Sequence, residues 1–197
     1  FTPVTQPAPE LVTFGMVARF EPIKNHALLL DAVAILVRQT QQFRVKLIGQ
    51  GHLQAEIQQR MTQLGLTDFI DVLPYCHDMP SFYQQIDVGV LTSFAEGIPR
   101  ALIEPMACGK PVLCTNVKGS REALVEGVTG FTVPLNSPAQ LAEKMLWFIE
   151  NPEARQRMGQ AARRHVEQHF SAERIINTLG ELYLSCAPTA LTAEQTT

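Results

Sequence analysis

The chain has 197 residues, of which 46% are hydrophobic and 18% are charged, and its formal net charge at pH 7 is −3. This length and composition are typical of one soluble globular domain, and the slightly negative charge gives no electrostatic basis for binding nucleic acid. No apolar run approaches the roughly 20 residues that a membrane-spanning helix needs. The cysteines have no C-x-x-C spacing, and we interpret them as reduced, structural thiols of a cytosolic protein.

The N-terminal segment, residues 1–10, contains three prolines and shows no signal-peptide pattern. We interpret it as a linker stub at the start of an excised fragment. The apolar run Leu11–Val17 then predicts a buried strand. Asn25 is a favourable N-cap for the apolar, periodic run Ala27–Val37, which predicts the first helix.

The loop between this strand and this helix carries two cations, Arg19 and Lys24. Arginine offers a planar fork of donors and lysine offers a point charge, so the two side chains can converge on a diphosphate. Taken alone, however, the loop favours the interpretation that both are ordinary surface cations.

The second strand, Phe43–Ile48, ends at a turn that contains Gly49 and Gly51, and the helix Leu53–Leu64 follows. The third glycine of a dinucleotide-binding fingerprint would fall at Gln54, so that fingerprint is incomplete. The two glycines are compatible with a tight turn and also with close approach of the backbone to a nucleotide.

The most informative segment follows a short strand, Ile70–Leu73, and a short helix, Met79–Gln85. A strand at Val88–Leu91 runs into a polar turn and then into an apolar helix, Ala101–Cys108. Pro99 suits the first helical position, because a backbone N–H is not needed there. The start of this helix offers unpaired N–H groups and the positive end of the helix dipole, which together can bind a phosphate.

Two glutamates bracket the start of this helix, with Glu96 in the turn and Glu104 inside the helix. The neighbours of Glu104 are apolar, and a buried carboxylate is unfavourable unless it is paired. Glu104 can form an i,i+4 ion pair with Arg100, or it can accept hydrogen bonds from two ribose hydroxyls. Two acids beside an anion site suit a ligand with both phosphates and hydroxyls, such as a nucleotide sugar.

The rest of the chain continues the same alternation of strands and helices. It comprises the strands Pro111–Thr115 and Phe131–Val133, the helix Ala139–Glu150, and three further helical segments or parts of segments that reach Ser185. Residues 187–197 are small and polar, and we expect them to be disordered.

This alternation predicts an α/β fold, with a Rossmann-like parallel sheet and helices on both faces, in one domain that spans residues 11–186. Ligands of such sheets bind beyond the carboxyl ends of the strands. His165 and His169 are an i,i+4 pair without an obvious third ligand, so we interpret them as surface histidines and predict no metal site. The residues expected at the carboxyl edge of the sheet are Arg19, Lys24, Gly49, Gly51, Tyr75, Glu96 and Gly97.

Two segments of the chain, ARFEPIKNH (residues 18–26) and SFAEGIPRALIEPMACGKPV (residues 93–112), carry a family resemblance. Together they resemble the retaining, family-4 type (group 1) of glycosyltransferase, in particular its C-terminal nucleotide-sugar domain in the GT-B fold. The family motif is Glu, seven residues, Glu, followed by Met-Ala-x-Gly-x-Pro-Val. The sequence departs from the family at Pro105, where Ala is usual, and at Asn25 and His26, where many members have Gly after the Lys.

The resemblance implies transfer of a sugar from a nucleotide-diphosphate sugar to an acceptor, with retention of the anomeric configuration, in bacterial polysaccharide or glycolipid biosynthesis. It implies that Arg19 and Lys24 bind the diphosphate, that Glu96 orients the transferred sugar, and that Glu104 binds the ribose. The other residues expected to bind the donor are Gly49, Gly51, Tyr75, Gly97, Arg100 and Ala101.

The resemblance also implies that the reaction needs no cofactor or metal besides the donor. The expected partners are the donor, the missing N-terminal domain and, through that domain, an acceptor glycan or lipid. Without that domain the fragment should be inactive. The expected location is the cytoplasm, or the inner face of the membrane through the missing domain. The alternatives are a nucleotide-sugar epimerase of the same fold and a non-catalytic nucleotide-binding module. A flavodoxin-like module would carry acidic residues at the end of the first strand, where this chain has Arg19.

Overall fold

The structure, a computed structural model, describes residues 11–74 and 78–186, without the side chain of Ile175. The predicted linker, the predicted tail and Tyr75 lie outside the described residues. The strands are β1 (Val12–Val17), β2 (Phe43–Ile48), β3 (Ile70–Leu73), β4 (Val88–Leu91), β5 (Val112–Thr115) and β6 (Gly130–Val133). The helices are α1 (His26–Leu36), α2 (Gln54–Gln63), α3 (Met79–Gln84), α4 (Arg100–Ala107), α5 (Lys118–Ala123), α6 (Pro138–Glu150), α7 (Pro152–His169) and α8 (Ala172–Cys186), and a 3-10 helix (Pro22–Lys24) precedes α1.

The six strands form one sheet in the order β3-β2-β1-β4-β5-β6, and every pairing is parallel. Helices surround the sheet, so the predicted Rossmann-like α/β fold is confirmed. Strands β2 and β3 lie in turn on one side of β1, and the chain then crosses over so that β4 lies on the other side of β1. Such a reversal opens a crevice at the carboxyl ends of the two central strands.

The hydrophobic core fills the space between the sheet and the helices. Phe14 of β1, Phe43 of β2, Leu29 and Leu30 of α1 and Phe148 of α6 are all fully buried. Helix α1 packs against α6, whereas α4 packs against α7. These contacts hold the helices that follow β1 and β4 in fixed positions beside the crevice.

The predicted element bounds agree with the structure to within one residue. As predicted, Asn25 is the N-cap of α1, and its side chain accepts a hydrogen bond from the Leu28 N–H at 3.4 Å. Pro99, predicted as the first helical residue, is instead the N-cap of α4, because its ψ of 110° is extended. Pro105 lies inside α4, beside Gly89 of β4, where an added Cβ would lie 2.8 Å from the proline ring.

Two features of the C-terminal half differ from the sequence-based expectations. Helix α5 was not predicted, because six residues that include Gly119 and Ser120 are too few to show a helical period. The chain after α6 forms two helices rather than three segments, because α7 continues through Gly159 without a break. Among the described residues, no helix combines the length and apolar character needed to cross a membrane.

Gly159 should be required by close packing rather than by backbone conformation. A Cβ at this position would overlap the carbonyl oxygen of Gly109 in the turn after α4, whereas a Cβ on Gly180 of α8 would meet nothing. We expect Gly159→Ala to lower the free energy of unfolding by about 1–3 kcal/mol through overpacking. The matched variant Gly180→Ala should not lower it, because alanine favours a helix by up to about 1 kcal/mol over glycine. Urea unfolding followed by circular dichroism measures both, and equal stabilities for the two variants would contradict the packing argument.

Candidate functional site

A cavity of about 580 Å³ lies at the carboxyl ends of β1 and β2 and beside the start of α4. This volume is within the roughly 300–1,000 Å³ typical of small-molecule sites. Gly97 and Gly51 do not line the cavity, and Tyr75 lies outside the described residues. The predicted residues that line it are Arg19, Lys24, Gly49, Glu96, Arg100, Ala101 and Glu104.

The loops after β1 and β4 meet at an ion pair between Lys24 Nζ and Glu96 Oε1, which are 2.6 Å apart. The two side chains are only 19% and 11% exposed. The loops are also joined by hydrogen bonds, since Thr92 Oγ1 donates to the carbonyls of Lys24 and Asn25 at 3.0 and 2.9 Å. The amide of Phe94 donates to the carbonyl of Ile23 at 2.8 Å. These bonds fix the position of Lys24 at the cavity wall.

Arg19 lies at the more open side of the same cavity. Its guanidinium pairs with Glu21 at 2.7 Å, and its side chain is 69% exposed. An exposed ion pair contributes only about 0–1 kcal/mol, so the arginine can exchange Glu21 for a stronger anionic partner. The structure therefore brings both loop cations to one cavity.

Glu104 makes contacts on both of its carboxylate oxygens. Arg100 Nη2 lies 2.7 Å from Oε1, which is the predicted i,i+4 pair, and Tyr83 donates its hydroxyl to Oε2 at 3.0 Å. Glu104 also lines the cavity, so it can still bind a ribose there, and the ribose interpretation stays a prediction. Burial, followed by the Glu104 charge, raises the pKa of Tyr83, so the phenol remains protonated and donates.

The start of α4 carries backbone donors that face the same cavity. In the described part of the chain, the N–H groups of Arg100 and Ala101 have no backbone acceptor, and the N-cap Pro99 makes no side-chain cap. The first N–H groups of a helix and its dipole favour an anion. The lining thus combines three cations, two carboxylates and a helix N-terminus.

The glycines near the cavity are required by close approach between loops. A Cβ on Gly49 would overlap the carbonyl of Ala18, and one on Gly51 would lie 2.5 Å from the carbonyl oxygen of Phe20. Close approach of the turn after β2 to the loop after β1 therefore explains both glycines, and Gly49 also lines the cavity. A Cβ on Gly119 would overlap the carbonyl of Gly97, so this glycine lets α5 approach the turn that carries Glu96.

Sequence reasoning did not identify Tyr83 or Gly119 as residues of the site. Tyr83 belongs to a short predicted helix of mixed polar and apolar residues, Met79–Gln85, and nothing in that pattern connects it to Glu104. Gly119 lies four residues after the end of β5, in a segment where a small residue is unremarkable. The signal that could have identified Tyr83 is that it is the only tyrosine in a helix predicted ahead of the motif, and a buried tyrosine hydroxyl usually finds a hydrogen-bond partner.

The histidines of the chain differ in environment. His26 is buried edge-to-face against Phe20 with ring centroids 5.1 Å apart, and burial, followed by the Lys24 charge, lowers its pKa to about 4. His165 is half-buried and lies 4.7 Å from the exposed His169. Within residues 11–74 and 78–186, no three potential metal ligands come together.

The profile of the family described as "Glycosyl transferases group 1" matches residues 4–165. The chain is 35% identical over 188 residues to the Vi polysaccharide biosynthesis protein VipC/TviE of Salmonella typhi, covering 90% of this chain and 31% of that protein. It is 32% identical to a D-inositol 3-phosphate glycosyltransferase of Streptomyces avermitilis, covering 76% of this chain and 34% of that protein. The chain thus spans about a third of the length of these two relatives.

Solved structures show the same fold. Anabaena Alr3699/HepE in complex with UDP is 27% identical, with a TM-score of 0.84 over 89% of this chain and 49% of that chain. The C-terminal domain of a glycosyl transferase group 1 family protein (LpcC) of Francisella tularensis has a TM-score of 0.78 and 21% identity, over 87% of this chain and 96% of that chain. The second comparison shows that such a domain has been crystallised by itself.

The buried His26 should make the stability of the domain depend on pH. Its ordinary pKa is 6.5 and its folded pKa is about 4, so between these values only the unfolded chain binds the proton. Its contribution to stability is therefore complete above about pH 6.5 and decreases toward pH 4, by up to about 3 kcal/mol. We expect the free energy of unfolding, measured with urea, to fall less between pH 7 and pH 5 for His26→Leu than for the parent chain. The exposed His52→Leu variant should follow the parent, and parallel curves for all three would refute the assignment.

Proposed function

This chain belongs to the glycosyl transferases group 1 family, and from that premise we propose that its cavity binds a nucleotide-diphosphate sugar for transfer of the sugar with retention of configuration. The observation that carries the proposal is the convergence of Arg19, Lys24, Glu96 and Glu104 on one cavity at the reversal of the sheet order. Solved structures of HepE contain UDP and UDP-glucose, which supports the same class of ligand here. The family favours transfer over the epimerase and the non-catalytic alternatives.

In the proposed complex, Arg19 and Lys24 neutralise the diphosphate, and the N–H groups of Arg100 and Ala101 add fixed dipoles. Negative charge grows on the diphosphate as its bond to the anomeric carbon breaks, so preorganised positive charge at this position lowers the barrier. Because these groups supply the neutralisation, we propose that the donor needs no metal ion.

The ion pair between Lys24 and Glu96 gives the two residues linked roles. A diphosphate in the cavity competes with Glu96 for Lys24, because it offers more negative charge than one carboxylate. Once Lys24 turns to the phosphate, Glu96 becomes available to accept hydrogen bonds from hydroxyls of the transferred sugar. Binding the leaving group would thus prepare the residue that orients the anomeric carbon.

Because we assign no side chain of the site as a nucleophile, we propose direct attack by the acceptor, with the departing phosphate of the donor as the base. The acceptor oxygen attacks the anomeric carbon on the face that the diphosphate leaves, and its proton passes to a phosphate oxygen. We assign the acceptor site to the remainder of a longer protein, since this chain spans about a third of the relatives described above. We also propose that the complete enzyme acts in the cytoplasm or at the inner face of the membrane.

Lys24→Ala tests the diphosphate site. Loss of a charged hydrogen bond should weaken binding of a nucleoside diphosphate by roughly 1.5–3 kcal/mol, or about 10- to 150-fold, and barely change binding of the nucleoside. NMR titration of the 197-residue chain with UDP, GDP, ADP and the three nucleosides measures this. Lys46→Ala is the matched control, because Lys46 is on β2 and donates to Gln85 away from the cavity. Equal losses for diphosphate and nucleoside would refute the proposed role.

Substitutions of the two glutamates should affect different measurements. Glu104→Ala should weaken the binding of ribonucleoside diphosphates and leave the binding of their 2′,3′-dideoxy analogues nearly unaffected, because Glu104 is proposed to bind the ribose hydroxyls. Glu96→Ala should not weaken free nucleotide binding, since it releases Lys24 from its ion pair, but it should impair transfer in the full-length enzyme. The same titrations and an assay of sugar transfer measure these effects. Equal loss of nucleotide affinity in both variants contradicts the division of roles.

A further inference from the structure

The two oxygens of Glu104 have partners of very different character. Oε1 faces Arg100, whose side chain is 88% exposed, whereas that of Glu104 is only 13% exposed. Oε2 accepts from the hydroxyl of Tyr83, which is almost completely buried. One partner can therefore leave into solvent, and the other is held inside the domain.

Tyr83 is held in place by the small hydrophobic cluster around α3. Its ring is edge-to-face with Phe82 at a centroid distance of 5.5 Å, and the cluster also contains Ile48, Ile86 and Cys108. A fully packed ring has little freedom to change rotamer. The hydroxyl nevertheless bonds to Glu104, and Tyr83 and Glu104 are both lining residues of the cavity. The phenol is thus a fixed donor at the edge of the site.

The acceptor capacity of the carboxylate leaves room for a diol. An ionised carboxylate has about four lone-pair positions, two on each oxygen. Tyr83 occupies one position on Oε2, and Arg100 occupies one on Oε1. An i,i+4 ion pair with an exposed arginine is weak, so hydroxyl groups of a ligand can replace it. Both oxygens can then accept from adjacent hydroxyls while Tyr83 keeps its bond.

We propose that Tyr83 is a positioning residue that holds the Glu104 carboxylate in the orientation that binds the 2′- and 3′-hydroxyls of a ribose, and that Arg100 is the partner these hydroxyls replace. The inference rests on the ribose role proposed for Glu104. It assigns to Tyr83 no contact with the ligand, so its effect on affinity is expressed only through Glu104. The affinity for a ligand without the ribose diol should therefore not depend on the hydroxyl of Tyr83.

Tyr83→Phe tests the inference, because phenylalanine keeps the ring and its packing and removes only the hydroxyl. The 197-residue chain is titrated by NMR with whichever of UDP, GDP and ADP binds tightest, and with the 2′,3′-dideoxy analogue of that diphosphate. Affinity for the ribonucleotide should fall about 3- to 12-fold, as expected for loss of one hydrogen bond, and affinity for the analogue should not change. Tyr183→Phe, at an exposed position of α8, is the matched control and should bind both ligands like the parent chain.

A double-mutant cycle distinguishes positioning from a structural role. In the Glu104→Ala background, Tyr83→Phe should cause no further loss, because the residue that it positions is absent. An equal loss for both ligands on Tyr83→Phe, or an undiminished loss in the Glu104→Ala background, would overturn the inference and leave the proposed function in place. If Glu104→Ala itself fails to distinguish the ribonucleotide from its analogue, the ribose assignment fails, and the inference fails with it.

Discussion

The ion pair between Lys24 and Glu96 is the contact on which the rest of the site depends. It joins the loop after β1 to the loop after β4, and those loops are neighbours only because the sheet order reverses at β1. Thr92, directly after β4, donates to two carbonyls of the first loop and so holds the lysine near the glutamate. The backbone of two adjacent parallel strands thereby places opposite charges from distant parts of the sequence at one cavity wall.

Each cation at the cavity has a glutamate partner, and this pairing keeps the charged groups compatible with one another. Arg19 faces Glu21, Lys24 faces Glu96, and Arg100 faces Glu104, at 2.6–2.7 Å. Three unpaired cations around one cavity would repel each other, whereas paired cations do not. The pairs differ in exposure, from the largely buried Lys24 and Glu96 to the exposed Arg19 and Arg100. In the proposed function, binding is an exchange of partners rather than the filling of a fixed positive site.

Close approach of loop backbones is a second requirement for this arrangement. Because Gly49 has no side chain, the carbonyl of Ala18 can lie close to it, and the carbonyl of Gly97 lies close to Gly119 for the same reason. In each place a Cβ atom would push the neighbouring segment away from a loop that carries a charged residue of the cavity, Arg19 in the first case and Glu96 in the second. Glycines, which have no side chain, therefore determine how closely the charged groups converge.

The amino-acid sequence by itself determined the six strands, the N-cap at Asn25 and the fold class, because short apolar runs, caps and turns are local properties of the chain. It also identified the five charged residues that line the cavity, because parallel topology brings the carboxyl ends of strands, and the start of the helix after β4, to one edge. Only the tertiary structure decided that Lys24 pairs with Glu96, that Tyr83 donates to Glu104, and that Gly119 packs on Gly97. Each of these contacts joins residues at least 21 positions apart, and its geometry depends on how helices and loops pack on the sheet rather than on any local pattern.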